Sequence, residues 1–270
     1  MAMKRRRRIL LALVAIYIGY GAVMTYLHPR YIYPFSQEAF AMPGFSRTEI
    51  TVAGTGPLGV WVHKAQQHDA PVIVYFMGNA GILSIHKAPL ALHRGAGRSV
   101  IAMEYRGGGG QPGVPSESRL KADGLAVLDA VQRLAGAQSG PIFLHGYSMG
   151  TGVALHVASQ RAVSGTVLDA PYSRICDLMR AASALPACWM PFVQKWDNLG
   201  YAGQLSAPVL IQHGIDDAKI PIADGARLAK TLSTAGGNVL FNPLTGGTHG
   251  KLIEVPGYTE ALEAFLSPGI

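Results

Sequence analysis

The hydrophobic pattern changes character along the chain. From Ile9 to Leu27 no charged residue occurs, and as a helix this stretch would be about 28 Å long, close to the hydrocarbon thickness of a bilayer. It predicts a transmembrane helix, with residues 29–43, rich in aromatics and prolines, as a linker. Thr48 to Val52 and Gly59 to His63 alternate as antiparallel strands do. The pattern then turns to continuous apolar runs at Val72 to Phe76, Val100 to Met103, Ile142 to Leu144, Thr166 to Leu168, Val209 to Ile211 and Val239 to Phe241. Runs of this kind suit strands buried on both faces. Helical periodicity separates them at Ser116 to Leu134, Met149 to Gln160, Ala223 to Leu232 and Thr259 to Leu266. This β-α-β repetition predicts an α/β fold, a mostly parallel sheet flanked by helices, over residues 44–270. Residues 171–205 break the rhythm with Trp189, Met190, Pro191, Phe192 and Trp196 and no convincing strand. They are expected to form a small helical lid over the carboxyl ends of the strands, where such sheets hold their chemistry.

Charge adds a direction to the first helix. Of the net charge of +7, Lys4, Arg5, Arg6, Arg7 and Arg8 supply five, leaving +2 for everything else. That remainder argues against nucleic-acid binding. The basic run instead marks a cytoplasmic flank, so residues 1–28 are expected to anchor the chain with its N-terminus in the cytoplasm and the folded domain outside it. Membrane lipid would surround residues 9–27, and Tyr17, Tyr20, Tyr26, Tyr31 and Tyr33 would form an aromatic belt at the exit side. A cleaved signal peptide is the competing reading, although its apolar core is normally only about 7 to 15 residues. Apolar residues make up 49% of the 270 and charged ones 14%, which fits one well-filled domain carrying a lipid-embedded segment. Cys176 and Cys188 match no metal motif, and both a disulfide and two free thiols are compatible with their spacing.

The chemistry gathers where a strand meets a helix. The run into His145 continues as Gly146, Tyr147, Ser148, Met149 and Gly150 before the helical pattern begins, a Gly-x-Ser-x-Gly turn in the strand-to-helix setting that exposes a nucleophilic serine. A serine hydroxyl needs an adjacent base and the base an orienting acid, in the order serine, acid, histidine. Downstream of Ser148 lie His156, His213 and His249. His156 falls within a helix, and His213 precedes Gly214 at a strand end, which suggests a role in a turn. His249 follows the last strand in a flexible loop, Thr245 to Gly250, from which it could reach the serine. Asp169, Asp216 and Asp217 are all candidates for the acid on spacing alone. Two backbone donors are also needed for the oxyanion, and the N–H groups of Met149 and Asn79 are the expected pair. Gly54 to Gly59 and Gly108 to Gly113 have dinucleotide-type glycine spacing but lack the strand-to-helix context. No cofactor or metal is called for.

These motifs together resemble the α/β-hydrolase superfamily, in particular its small serine hydrolases with one N-terminal membrane anchor. The resemblance covers nearly the whole chain: Tyr75 to Gly81 is similar to the family's oxyanion loop, and Glu104 to Gly107 to its Asp-Tyr-Arg-Gly turn. His213, Gly214, Asp217, Ile220 and Pro221 match its His-Gly-x-x-Asp-x-x-Val-Pro segment, which selects Asp217 as the acid. Met77 stands where the family usually has histidine, and Glu104 where it has aspartate. The resemblance implies an enzyme cleaving a small acyl substrate, an ester, thioester or amide, through Ser148, Asp217 and His249. An acyltransferase with the same three residues, or a membrane-tethered binding module without turnover, are the alternatives.

Overall fold

The computed structural model describes residues 2–136 and 140–267. The chain opens with α1 (Ala2–Ile32), followed by the hairpin β1 (Ser46–Val52) and β2 (Gly56–His63). The body of the fold is β3 (Val72–Phe76), α2 (Lys87–Gly95), β4 (Ser99–Met103), α3 (Glu117–Asp129), α4 (Val131–Ala135), β5 (Ile142–Tyr147), α5 (Gly150–Gln160), β6 (Gly165–Asp169), α6 (Ile175–Ser183), β7 (Val209–Gly214), α7 (Ile222–Thr234), β8 (Val239–Leu244) and α8 (Tyr258–Leu266). One eight-stranded sheet has the order β1-β2-β4-β3-β5-β6-β7-β8. Pairing is antiparallel from β1 through β2 to β4 and parallel across the rest.

Alternate residues of each strand feed two cores. Ile73, Phe143, Val167 and Leu210 point to the face covered by Leu262, Phe265 and Leu266 of α8. Their neighbours Val74, Leu144, Leu168 and Ile211 pack on the opposite face against residues of α3, α5 and α7, such as Val127, Val153 and Leu228. Burial of both faces explains the unbroken apolar runs of β3 to β7. Strand β8 departs from that expectation: it is the sheet edge, and Leu240 is 49% exposed. The helical pattern from Ser116 to Leu134 is two helices, because the chain turns at Ala130, whose N–H is shared between Ala126 O and Val127 O. Helix α2, unforeseen because Pro89 and Gly95 punctuate it, buries Leu90 and His93.

The N-terminal helix runs further than its apolar stretch. Helix α1 continues past the expected anchor boundary at residue 28, through Pro29 to Ile32. Proline has no N–H to offer the carbonyl four residues back. Here that carbonyl, Thr25 O, accepts instead from His28 Nδ1 at 2.5 Å, so the turn loses no hydrogen bond. Among the described residues this is the one helix long and apolar enough to cross a membrane. Its tyrosines do not all face outward as a belt would. Tyr17 donates to Ala184 O and Tyr20 to Ser183 O, while the Tyr33 ring is buried and accepts a 2.9 Å hydrogen bond from Trp196 Nε1.

Residues 171–205 hold α6, short helical turns at Ala187–Trp189 and Leu199–Tyr201, and a disulfide between Cys176 and Cys188. The disulfide, which the sequence left open, ties the start of α6 to the turn after it. The segment is fastened to the body through Glu117, whose carboxylate accepts from the N–H groups of Lys195 and Trp196 at 2.9 and 3.0 Å.

Buried histidines make the fold sensitive to acid. His86 shares a 2.9 Å hydrogen bond with Tyr75, and His93 one of 2.9 Å with His145. Burial, aided by the proximity of His145, pushes His86 down to about 3 and His93 well below the ordinary histidine range. Between the folded and unfolded values the unfolded chain binds more protons, so stability falls as pH drops below about 6.5. Each histidine held neutral contributes up to about 1.4 kcal/mol per pH unit in that window. The guanidinium midpoint should therefore fall between pH 7 and pH 5. A flat profile would mean that these side chains take up protons within the folded protein.

Candidate active site

The site begins with a turn that few side chains could accommodate. Strand β5 delivers Ser148 and α5 departs immediately, leaving Ser148 at φ +51°, in the left-handed region. A Cβ on Gly146 would lie 2.6 Å from Gly150 O, and one on Gly150 would lie 2.1 Å from Phe76 O. The glycines flanking the serine are thus required by close backbone approach, which answers their spacing in the sequence. The turn is pinned by Ser148 N–H donating to Asp169 O at 2.8 Å, which ties it to the end of β6.

Two further loops converge on the hydroxyl. His249 Nε2 lies 3.0 Å from Ser148 Oγ, and His249 Nδ1 lies 2.7 Å from Asp217 Oδ2. An ionised carboxylate only accepts, so Nδ1 carries the proton and Nε2 presents its lone pair to the serine. Asp217 Oδ1 accepts from the N–H groups of Lys219 and Ile220 at 2.8 and 2.9 Å. Burial is the largest single influence on the Asp217 carboxyl and opposes ionisation. Hydrogen bonds from His213, His249 and the Ile220 N–H together outweigh it and hold the group well below the usual carboxylate range. Its stabilising contribution is present above the unfolded value near 3.9 and is lost only as pH falls through the lower folded value.

The other candidates fall elsewhere. Asp169 accepts from Tyr258 Oη at 2.6 Å and pairs with His145 at 2.9 Å beneath the site, while Asp216 is exposed. His156 is half-buried on α5 with its ring 6.0 Å from Tyr201. His213 is more than a turn residue: fully buried, it shares a 2.9 Å hydrogen bond with Ile220 O and comes within 3.5 Å of Asp217 Oδ2. Nor does the loop bearing His249 swing freely. Ile215 and Asp216 donate to Leu244 O and Gly247 O at 2.9 and 3.0 Å, and Tyr147 Oη donates to His249 O.

Ser148, His249, Asn79 and Met149 line one cavity of about 270 Å³. Among the described residues, no hydrogen-bond acceptor engages the backbone N–H of Asn79 or of Met149. The loop bearing Asn79 is held from below by Tyr105 Oη, which donates to Met77 O at 2.7 Å, while the Met77 side chain is buried in the core.

Comparison with known proteins agrees with this architecture. A family model described as serine aminopeptidase, S33, matches residues 91–199. The lysophosphatidylserine lipase ABHD12 of Danio rerio is 28% identical over 241 residues, which make up 76% of this chain and 60% of that protein. The chain thus spans about 60% of the length of that lipase. An uncharacterized protein of Mycobacterium tuberculosis is 26% identical over 99% of this chain and 98% of its own length. Among solved structures, the Pyrococcus furiosus esterase Pf2001 superposes with a TM-score of 0.70 at 19% identity, covering 86% of this chain and 94% of the esterase. The chain has the α/β-hydrolase fold.

The α1 side of the pocket was the part that sequence reasoning missed, whereas α6 falls within the segment expected as a lid. Tyr31 and Ile32, assigned to a linker, close one side of the cavity, and Ile175, Leu178 and Met179 of α6 close the other. The signal for the first pair was present: Met24, His28 and Tyr31 continue the helical spacing past Leu27.

The strained turn gives a direct test. Ser148→Gly removes the Cβ from a left-handed position, which costs an L-residue roughly 1–2 kcal/mol, and recovers that less the entropic cost of glycine. Denaturant midpoints should therefore put Ser148→Gly about 0.5–1 kcal/mol above Ser148→Ala in stability. Equal midpoints would show that the turn stores no backbone strain.

Proposed function

We propose that this protein is a membrane-anchored serine hydrolase that cleaves an ester, thioester or amide of an apolar acyl group through an acyl-enzyme on Ser148. The observation that carries the reading is the continuous chain of hydrogen bonds from Asp217 Oδ2 through the His249 ring to Ser148 Oγ. In the first half-reaction His249 Nε2 takes the serine proton as Oγ attacks the acyl carbon, and the oxygen that becomes negative is received by the N–H groups of Met149 and Asn79. The carbon–leaving-group bond then breaks, with His249 returning its proton to the departing alcohol, thiol or amine. In the second half-reaction water loses a proton to His249 and attacks the acyl carbon, releasing the acid and restoring the serine. Asp217 fixes the ring with Nδ1 protonated and stays ionised while the imidazolium exists.

The apolar walls of the cavity favour acyl groups over charged ones, and the names of the relatives, a lysophosphatidylserine lipase and an esterase, lie in the same class. The basic run at Lys4 to Arg8 followed by the apolar length of α1 supports a cytoplasmic N-terminus with the domain on the far side of the membrane. The disulfide between Cys176 and Cys188 fits that oxidising side.

A fluorophosphonate probe should label the full-length protein, and Ser148→Ala should abolish both labelling and hydrolysis of p-nitrophenyl butyrate. Asp217→Asn should lower kcat by roughly 10³–10⁴ through loss of the correct tautomer, with KM little changed. An unlabelled parent protein, or hydrolysis that survives Ser148→Ala, would remove the basis of the reading.

A further inference from the structure

A second cavity, of about 410 Å³, lies between α1 and α6. Its size is that of small-molecule sites, roughly 300–1,000 Å³. It adjoins the Ser148 cavity, and Tyr31, Met179 and Ala182 line both. Met24 and Thr25 of α1 and Val193 complete its floor. The few polar groups there are already engaged: Thr25 Oγ1 donates to Gly21 O at 2.8 Å, and His28 Nε2 accepts from Gln194 N–H at 3.1 Å while its Nδ1 serves Thr25 O. Tyr20 Oη and Ser183 Oγ are likewise engaged, with Ser183 O and Met179 O, and apart from Tyr31 at the Ser148 end the rest of the lining is apolar, so the cavity suits a hydrocarbon chain.

Its depth follows from the contacts of α1. Tyr17 and Tyr20, which meet the end of α6, precede Leu27 by seven to ten residues, or about 10–15 Å along a helix axis. If Ile9 to Leu27 occupies the hydrocarbon, the end of α6 and the turn beyond it lie within the same layer. Two features of that turn agree. The last carbonyls of α6, at Ser183 and Ala184, have no water at such a depth, and they accept instead from the two tyrosine hydroxyls. Trp189 and Phe192, 89% and 90% exposed, are the most exposed large apolar side chains outside α1 among the described residues. In water they would be an apolar liability, whereas in lipid they are solvated.

Resting on the proposed hydrolase reading, we infer that the cavity between α1 and α6 is the acyl-chain subsite, entered from the bilayer, and that the anchor helix forms one wall of the substrate site. From Tyr31 at the reaction centre to Tyr20 at its far end the groove follows eleven residues of α1, about 16 Å. The substrate class is therefore an acyl ester of medium or long chain whose tail lies along α1 while its carbonyl reaches Ser148.

Ala182 is exposed at the junction of the two cavities, so Ala182→Trp can block the passage without disturbing the core. The experiment compares p-nitrophenyl butyrate, octanoate and laurate, with full-length protein in detergent micelles and fluorophosphonate labelling as the measure of folded sites. For the parent, kcat/KM should rise at least roughly tenfold from butyrate to laurate, about 1.4 kcal/mol of chain binding. Ala182→Trp should abolish that rise, lowering kcat/KM for laurate at least roughly fivefold more than for butyrate. A variant that keeps the long-chain preference, or that loses butyrate and laurate alike while still labelled, overturns the subsite. So does a parent with no chain-length preference. Those results leave the hydrolase reading standing, whereas absence of Ser148-dependent turnover on all three esters removes both.

Discussion

The backbone of β3, the end of β5 and the start of α5 approach one another so closely that no side chain fits between them. Gly150 lies against Phe76 O, and Gly146 against Gly150 O. This contact sets where the β5 to α5 turn must sit, and the turn sets the direction of the serine hydroxyl. It also aligns the carboxyl ends of the neighbouring strands, because β5 pairs with β3 on one side and β6 on the other. Asn79 follows β3, Asp217 follows β7 and His249 follows β8, so a parallel sheet brings all of them to the same rim. Loops carrying these residues need only short reaches, and they are braced by each other: the Asp217 loop is hydrogen-bonded to the carbonyls of Leu244 and Gly247. Precision in the site comes from this mutual bracing more than from any one bond, since a base must stay within hydrogen-bond reach of its serine.

What could be read from the residues was what local geometry dictates. The glycines about Ser148 announce a tight strand-to-helix turn, and two-sided apolar runs announce buried parallel strands. Every strand was visible, β1 and β2 by alternation and the others as apolar runs, although β8 reads the same as its neighbours and its edge position is set by topology, which periodicity does not encode. His249 was identifiable as the loop histidine after the last strand, but Asp217 could be preferred to Asp216 and Asp169 only through the family's motif. The geometry separates them: Asp216 is exposed, and Asp169 is used by His145 and Tyr258. The support that His213 gives to the Ile220 turn depends on a fold-back of seven residues, and its immediate neighbours in sequence carry no sign of it. The α1 side of the pocket was hidden for the same reason. An apolar stretch long enough to span a bilayer explains itself, so nothing in it announces that one side is also a binding surface.

That double use of α1 has a physical consequence. A helix serving only as a tether would be joined to its domain by a flexible linker, and the domain would move freely above the membrane. Here the end of α1 and the residue after it are fixed by polar contacts: Tyr33 bridges Gln194 Oε1 and Trp196 Nε1, and His28 receives the Gln194 N–H. Glu117 then joins the same segment to α3 in the body of the fold. The chain of contacts runs from the anchor through residues 193–196 to the helix beneath the sheet. The orientation of the domain relative to α1 is therefore a property of the fold.

With orientation fixed, the disulfide has a clear place. Cys188 lies three residues before Pro191 in the turn that carries Trp189 and Phe192, and its bond to Cys176 holds that turn to the base of α6. Closing a loop of this length stabilises a fold by about 3 kcal/mol in the chain-entropy account, mostly by restricting the unfolded chain. Its local effect matters more here. Helix α6 has nine residues, too few to be stable alone. Without the crosslink it would be held by α1 and by the N–H groups of Ile175 and Cys176, which donate to Trp196 O and Lys195 O at 3.3 Å. The bond thus keeps the wall formed by Leu178, Met179 and Ala182 facing the Ser148 cavity. On the proposed reading, a substrate wall built from a membrane helix and a stapled surface helix can stay open to the bilayer on one side and remain ordered on the other.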